Sequence, residues 1–86
     1  MNVELSLHAE NQIVERGLNR DQVIAVASEP EQIVTPEESP PVAQSRITED
    51  GKIYLLRVAF RDDDDTRLII TAYRTSKVDK YWQDES

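Results

Sequence analysis

Cysteine is absent from the 86-residue sequence, and histidine occurs once, as His8. Without cysteine the chain can form neither disulfides nor thiolate metal sites. One histidine gives no cluster of zinc ligands, and one histidine among scattered serines is not the pattern of a nucleophilic triad. The two glycines, Gly17 and Gly51, do not form a glycine-rich loop that could hold a phosphate. We therefore expect neither a bound metal nor a cofactor.

Long apolar runs are also missing. The N-terminal stretch "MNVELSLHAE" has no basic flank and no continuous apolar run, so it does not resemble a signal peptide. No stretch approaches the roughly 20 apolar residues of a membrane span. Together with the absence of cysteine, this predicts a cytoplasmic protein that does not contact a membrane. The length predicts a single domain over residues 1–86 with one modest core.

The chain is acidic, with a net charge of -7, but the charge is unevenly distributed. Residues 1–51 hold ten acids against three arginines, whereas residues 52–82 hold seven bases against five acids. This balance argues against general coating of nucleic acid and still allows a small cationic cleft. The run Asp62–Asp65 lacks the glycine and the distant glutamate of a calcium loop. It therefore predicts a solvated hairpin tip rather than a metal site.

Local signals before Pro30 predict two short helices. Ser6 and Asn19 are residue types that favour helix N-caps, and the proline ends the second helix. The predicted helices cover about 6–16 and 19–28. Because only about two residues join them, we expect a helical hairpin.

After the second helix the apolar pattern changes to a period of two, which indicates strands. The pair Asp50-Gly51 is the strongest short signal for a β-hairpin. The predicted strands cover about 32–35, 42–48, 53–60 and 66–73, and a closing segment covers 74–82. Two helices followed by three or four strands predict an α+β fold, in which the N-terminal helical hairpin packs on one face of an antiparallel sheet.

His8, Gln12 and Arg16 lie at spacings of four residues in the first predicted helix. Side chains at this spacing form one polar ridge along a helix. A histidine in such a ridge can act as a general acid or base, because its ordinary pKa lies near neutrality. The alternative is a surface histidine near a helix start.

Arg57 interrupts the apolar strand "IYLLRVAF" (53–60). A buried guanidinium is costly unless it is paired. Two kinds of partner fit this position. One is an internal acid such as Glu15, which would form a structural ion pair, and the other is a phosphate held by two N–H groups.

The stretch "AYRTSKVDKYW" (72–82) combines cations, hydroxyls and aromatic rings near the end of an acidic chain. Its polar candidates are Tyr73, Thr75, Ser76, Lys77 and Lys80. Lysines neutralise phosphate, hydroxyls donate to its oxygens, and Tyr81 or Trp82 can stack on a base. The alternative is that these two aromatic residues and Val78 anchor the end of the chain on the core while the lysines stay solvated.

The stretch "LSLHAENQIVERGLNRDQVIAVASEPEQIV" (5–34), with "IYLLRVAF" and "TAYRTSKVDKYW", resembles the family catalogued as domain of unknown function 4258. The matching marks are His8-Ala9, Arg16-Gly17, Pro30, Arg57, Tyr73 to Lys77 and Lys80 to Trp82. Gln12 stands where the resemblance leads us to expect an arginine.

That family in turn looks similar to RelE-type and BrnT-like toxins, which are small metal-independent ribonucleases. The resemblance implies a RelE-like fold and an RNA 2′-hydroxyl that attacks the neighbouring phosphate, with cations stabilising the charge. Carried over by position, the catalytic residues would be His8, Arg57, Tyr73 and Lys77. The substrate-binding residues would be Arg16, Gln12, Thr75, Ser76 and Lys80.

Two functions follow as hypotheses. The first is an endoribonuclease that acts on RNA, as a component of a toxin–antitoxin pair. The second is a non-catalytic protein-binding module of the same fold, whose acidic surface meets an antitoxin-like or other basic protein. The sequence does not predict an oligomeric state.

Overall fold

A computed structural model of the protein describes residues 1–84, so residues 85 and 86 of the predicted domain lie outside it. The described chain contains five strands and three helices. In order these are β1 (Asn2–Leu5), α1 (Leu7–Glu15), α2 (Arg20–Ser28), β2 (Gln32–Val34), β3 (Val42–Glu49), β4 (Lys52–Asp63), β5 (Thr66–Thr75) and α3 (Val78–Tyr81). The strands form one sheet in the order β1-β5-β4-β3-β2.

The predicted α+β class is confirmed, but the sheet prediction is wrong in two respects. The sheet has five strands rather than three or four, and it is mixed, because β1 pairs with β5 in parallel while the other neighbours are antiparallel. Strand β1 has four residues, too few for a clear alternation signal. Its partner is more than sixty residues away, so no local pattern could reveal the pairing.

The two N-terminal helices begin at the expected cap residues. Ser6 Oγ accepts a hydrogen bond from the Ala9 backbone N–H at 3.0 Å, and Asn19 Oδ1 accepts one from the Gln22 N–H at 3.0 Å. The predicted hairpin, however, is not N-terminal, because β1 precedes it. The helices also lie over different strands, α1 over β5 and α2 over β4 and β3. No helix within residues 1–84 is both long and apolar enough to cross a membrane.

The core lies between the two helices and one face of the sheet, which we call the helix face. Alternation along β4 points Leu56, Val58 and Phe60 toward the helices, and Ile69 and Ala72 of β5 join them. The helices contribute Ala9, Ile13, Val23, Val26 and Ala27. Intervening β4 residues such as Leu55 and Arg57 are buried on the opposite face. We call that side the open face; α3 contacts β4 there.

The β3–β4 and β4–β5 turns each contain only two residues between the paired strands, fewer than the gaps between the apolar runs of the sequence. Asp50 and Gly51 have φ values of 50° and 77°, as a two-residue turn with both central residues left-handed requires. The β4–β5 pair continues to Asp63, which faces Thr66, so β4 extends beyond the predicted limit of 60. Strand β5 starts at Thr66 and ends at Thr75 rather than at 73.

Asp62 takes part in an ion pair that covers one edge of the core. Its carboxylate accepts hydrogen bonds from Arg67 Nε at 2.8 Å and Nη2 at 3.0 Å. Arg67 is only 7% exposed, and its Nη1 donates a hydrogen bond to the Ala27 carbonyl at 2.9 Å. Its guanidinium carbon lies 3.9 Å from the Phe60 ring centroid. The hydrogen bond from Arg67 lowers the pKa of Asp62 below its ordinary value.

We predict that Asp62→Asn lowers the free energy of unfolding by about 1–2 kcal/mol, because the buried Arg67 loses a charged acceptor while Asp62 itself is largely solvated. Urea denaturation at neutral pH measures the change. Asp63→Asn is the matched control, since that side chain is exposed and makes no ion pair among the described residues. Equal effects of the two substitutions would contradict this role.

The same ion pair predicts a pH dependence with a defined sign. Because the folded-state pKa of Asp62 is lowered, its contribution to stability is present above the ordinary aspartate pKa and disappears as pH falls through the folded value. Acid unfolding followed by circular dichroism should therefore be less steep in Asp62→Asn than in the unsubstituted protein. An identical pH profile for both proteins would refute the assignment.

Candidate functional site

Arg57 is a buried cation on the open face of the sheet. Its neighbours along β4, Leu56 and Val58, point into the core, so strand alternation sends Arg57 the other way. Arg57 is 9% exposed. A guanidinium removed from water to this extent normally lies against a carboxylate.

Arg57 is instead held by neutral groups. Its Nε donates to Gln44 Oε1 at 2.9 Å, and its Nη1 donates to the Tyr73 hydroxyl at 2.5 Å. Both partners lie directly across from it, Gln44 on β3 and Tyr73 on β5. Four other arginines of residues 1–84 form ion pairs with acids, and Arg57 is not among them. An ion pair between Arg57 and an acid such as Glu15, one of the alternatives that the sequence left open, is therefore not formed among the described residues.

Two tyrosine rings complete the surroundings of the guanidinium. The Arg57 guanidinium carbon lies 4.2 Å from the Tyr81 ring centroid and 5.7 Å from that of Tyr73. The rings pack edge to face, with centroids 6.5 Å apart and an interplanar angle of 79°. Aromatic faces attract a cation but leave its net charge in place. The cluster of Arg57, Tyr73, Tyr81 and Gln44, which we call the arginine cluster, therefore carries one positive charge without an acidic partner.

Lys80 adds a second cation beside this cluster. Its ammonium lies 5.2 Å from the Tyr81 ring centroid. A hydrogen bond from Lys80 and its positive charge lower the pKa of the Tyr81 phenol, and Tyr73 and Arg57 act in the same direction. Lys80, Arg57, Tyr73 and Tyr81 therefore form a site that favours negative charge, either a phenolate or an oxyanion of a ligand.

A pocket of about 630 Å³ opens beside the arginine cluster at the edge of β5. Its lining consists of Arg16, Leu18, Thr71, Tyr73 and Arg74. Tyr73 thus belongs to the pocket and to the arginine cluster at once. The charge of Arg74 is balanced by Glu49, whose carboxylate lies 2.5 Å from Nη1. Arg16 makes no ion pair among the described residues, so it supplies the uncompensated charge of this pocket.

Gln12 and Arg16 form hydrogen bonds with the backbone of β5 beyond the point where β1 ends. Strand β1 ends at Leu5, opposite Ile69, which leaves the β5 backbone beyond that point without a strand on one side. Gln12 Oε1 accepts hydrogen bonds from the Thr71 hydroxyl and from the Ala72 backbone N–H, and Arg16 Nη1 donates to the Ala72 carbonyl at 2.8 Å. An arginine at position 12 could not replace this glutamine, because a guanidinium has no acceptor.

The remaining predicted residues are spread around the site. His8 is exposed on α1, and no hydrogen bond or ion pair within residues 1–84 joins it to Arg57 or Tyr73. Thr75 Oγ1 accepts from the Lys77 backbone N–H at 3.1 Å, which shapes the turn before α3. The side chains of Ser76 and Lys77 are exposed. The structure therefore brings Arg57, Tyr73 and Lys80 close together and places Arg16 in the lining of the neighbouring pocket. The side chains of His8, Ser76 and Lys77 lie in solvent.

Gln44 is the residue that the sequence analysis missed. It is fully buried and binds Arg57 directly. The sequence contains a signal for it, because Gln44 is a polar residue between Ala43 and Ser45 in a predicted strand. A glutamine amide that is buried in a sheet needs hydrogen-bond partners. Its pairing with Arg57 depends on the register of β3 against β4, which the Asp50-Gly51 turn sets.

Residues 5–74 match the family described as Domain of unknown function (DUF4258), and the chain belongs to that family. No curated protein and no solved structure matches the chain. Within residues 1–84, no group of three or more histidine, aspartate or glutamate side chains is placed to hold a metal ion.

We predict that Gln12→Ala lowers the free energy of unfolding by about 1–3 kcal/mol, because the Ala72 N–H loses its acceptor in a buried position. Thermal or urea denaturation measures the loss. Gln22→Ala is the matched control, since the Gln22 side chain makes no hydrogen bond among the described residues. If both variants lost the same stability, the edge-closing role of Gln12 would be wrong.

We predict that Lys80→Met raises the pKa of Tyr81, because its largest stabilising partner for the phenolate is removed. An ultraviolet absorbance titration reads phenol ionisation, and a Tyr81→Phe protein identifies which part of the curve belongs to Tyr81. Lys77→Met serves as the control because Lys77 is not among the groups that shift this phenol. A Tyr81 titration that stays in place in Lys80→Met would count against the assignment.

Proposed function

We propose that the protein binds RNA at the arginine cluster and cleaves its phosphodiester as a small, metal-independent endoribonuclease. One observation carries the proposal. The buried guanidinium of Arg57 has no acidic partner among the described residues, and it binds the hydroxyl of Tyr73, which lines an open pocket. Such a guanidinium favours an anionic ligand, and a phosphate can receive two of its N–H groups at once.

The local charge explains how an acidic chain can accept RNA. Arg16, Arg57 and Lys80 lie around Tyr73 and Tyr81, whereas the exposed acids Asp63 to Asp65 lie at the far hairpin. A net charge of -7 opposes a long nucleic-acid footprint. The proposal therefore concerns a short single-stranded segment, whose one or two phosphates reach Arg57 and Arg16 and whose bases can stack on the ring of Tyr73 beside the pocket.

The chemistry assigned to the site is an internal transfer at phosphorus. The RNA 2′-hydroxyl loses its proton to a base and attacks the adjacent phosphate, the bond from phosphorus to the 5′-oxygen breaks, and an acid protonates that oxygen. Arg57 and Arg16 stabilise by direct contact the charge that builds on the phosphate, and Lys77 or Lys80 assists through its charge alone. Tyr73 and Thr75 orient the phosphate, with Gln12 holding the β5 edge beside them.

His8 is assigned the acid or base role, as the one histidine of the chain. Its imidazole is exposed on α1, one turn before Gln12, whose amide reaches Thr71 at the pocket. Substrate lying along the β5 edge would pass this side of α1. This assignment extends the resemblance to RelE-type toxins, as does a role in a toxin–antitoxin pair, and both remain proposals.

The test is cleavage of a short single-stranded RNA in the presence of EDTA, with binding measured on the same RNA carrying 2′-O-methyl groups. We predict that Arg57→Met weakens binding by about tenfold or more, since a hydrogen bond to a charged group contributes about 1.5–3 kcal/mol. Arg61→Met is the control, because Arg61 lies on the same strand, is exposed and makes no ion pair among the described residues.

Further variants separate binding from chemistry. We expect His8→Ala to reduce cleavage with little change in binding, and Tyr73→Phe to reduce both. Because loss of Arg57 could unfold the sheet, Arg57→Lys keeps the charge, and circular dichroism checks the fold of every variant. Cleavage that is equally fast in Arg57→Met, His8→Ala and the unsubstituted protein would rule out this site. Absence of RNA binding by the folded, unsubstituted protein would rule out the function.

A second function is supported by the acidic hairpin. Asp63, Asp64 and Asp65 are exposed, and none of them forms an ion pair within residues 1–84. An acidic surface of this kind suits a basic protein partner, as in a non-catalytic binding module. Replacement of the three by asparagine should then weaken binding to a lysine-rich peptide strongly and leave RNA binding unchanged or improved. Unchanged peptide binding would reject this alternative.

A further inference from the structure

The C-terminal arm, residues 78–84, lies over Arg57 on the open face. Its Tyr81 ring contacts the guanidinium, with 4.2 Å between the ring centroid and the guanidinium carbon. The next residue, Trp82, stacks on Arg46 at 4.2 Å. No residue of α3 is itself buried, and the arm covers the open face of β4 without joining the core on the helix face. Segments with so little buried apolar surface open more readily than the rest of a fold.

Two glutamine side chains hold the arm in place. Gln44 Nε2 donates to the Tyr81 carbonyl at 3.1 Å and to Gln32 Oε1 at 2.5 Å. Gln32 Nε2 donates to the Gln83 carbonyl at 2.8 Å, and the Gln83 backbone N–H donates back to Gln32 Oε1 at 2.9 Å. The amide of Gln32 therefore pairs with Gln83 as a neighbouring strand would.

This amide pair also connects the arm to the buried cation. Gln44 Oε1 accepts from Arg57 Nε while its Nε2 holds the arm, so one side chain fixes both. The sequence places no aspartate or glutamate at position 32 or 44, and a carboxylate there would neutralise Arg57. The hydrogen bonds that close the arm thus leave the positive charge of Arg57 available.

We propose that the C-terminal arm is a latch that covers Arg57 while the site is empty and moves aside when a phosphate group binds its guanidinium. The inference rests on the proposed function for the identity of the ligand, a phosphodiester of RNA. A phosphate oxygen forms charge-assisted hydrogen bonds with Arg57, which the Tyr81 ring cannot do. A ligand that binds the open state better shifts the population toward it.

Trp82 reports on the latch because it is the only tryptophan in the chain. Quenching of its fluorescence by acrylamide measures its access to solvent. Two variants, Gln32→Ala and Gln83→Pro, should release the arm while leaving the direct hydrogen-bond partners of Arg57 in place. The second removes one N–H donor, and Trp82 already has the extended backbone, φ -68° and ψ 128°, that a following proline requires. Gln22→Ala is the matched control.

Both variants should raise the quenching constant of Trp82 by about twofold or more and strengthen binding of the 2′-O-methyl RNA by about threefold to tenfold, since a closed state that competes with the ligand is removed. Gln22→Ala should match the unsubstituted protein in both measurements. Adding inorganic phosphate to the unsubstituted protein should also raise the quenching constant.

Unchanged quenching in both variants would overturn the latch. Increased quenching with weaker RNA binding in Gln83→Pro would also overturn it, because the arm would then be part of the binding surface. If the unsubstituted protein bound no RNA but phosphate still exposed Trp82, the latch would stand and the ribonuclease proposal would fail. If RNA bound without any change at Trp82, the ribonuclease proposal would survive and the latch would fail.

Discussion

The uncompensated charge of Arg57 is the constraint on which the rest of the site depends. Strand β4 is covered on both faces, so a cation at its centre loses most of its hydration. The neighbouring strands provide two acceptors for its N–H groups, the amide oxygen of Gln44 and the hydroxyl of Tyr73. The ring of Tyr81 in the C-terminal arm contacts the guanidinium as well. These groups satisfy the N–H donors without cancelling the charge. A sheet built only for stability would favour an apolar residue here.

A second constraint is the unequal length of two neighbouring strands. Because β1 stops opposite Ile69, the last residues of β5 have no strand partner on that side. Gln12 and Arg16 supply the missing acceptor and donor from α1, and Tyr73 lies at the pocket beside them. Arg16 and Leu18, which follow the end of α1, therefore line the pocket on this side. Gln12 and Arg16 of the polar ridge therefore complete the sheet beside the proposed site.

The sequence predicts those features that depend on neighbouring residues. Ser6 and Asn19 act as N-caps and Asp50-Gly51 makes the β3–β4 turn, because each needs only a few residues of context. Strand β1 and its parallel pairing escape prediction because the partner lies at the other end of the chain. The apolar strand around Arg57 marks it as unusual, but only the register between strands reveals that Gln44 and Tyr73, rather than an acid, are its partners.

The central claim is that the Arg57 guanidinium is the group that receives a phosphate. NMR observation of the arginine Nε–Hε signals tests it directly during titration with the 2′-O-methyl RNA. We expect the Arg57 signal to be protected from exchange in the free protein, because its Nε–H is bound to Gln44, and to shift progressively on titration while Arg61 stays in place. Saturable binding of the RNA with no movement of the Arg57 signal would contradict the account.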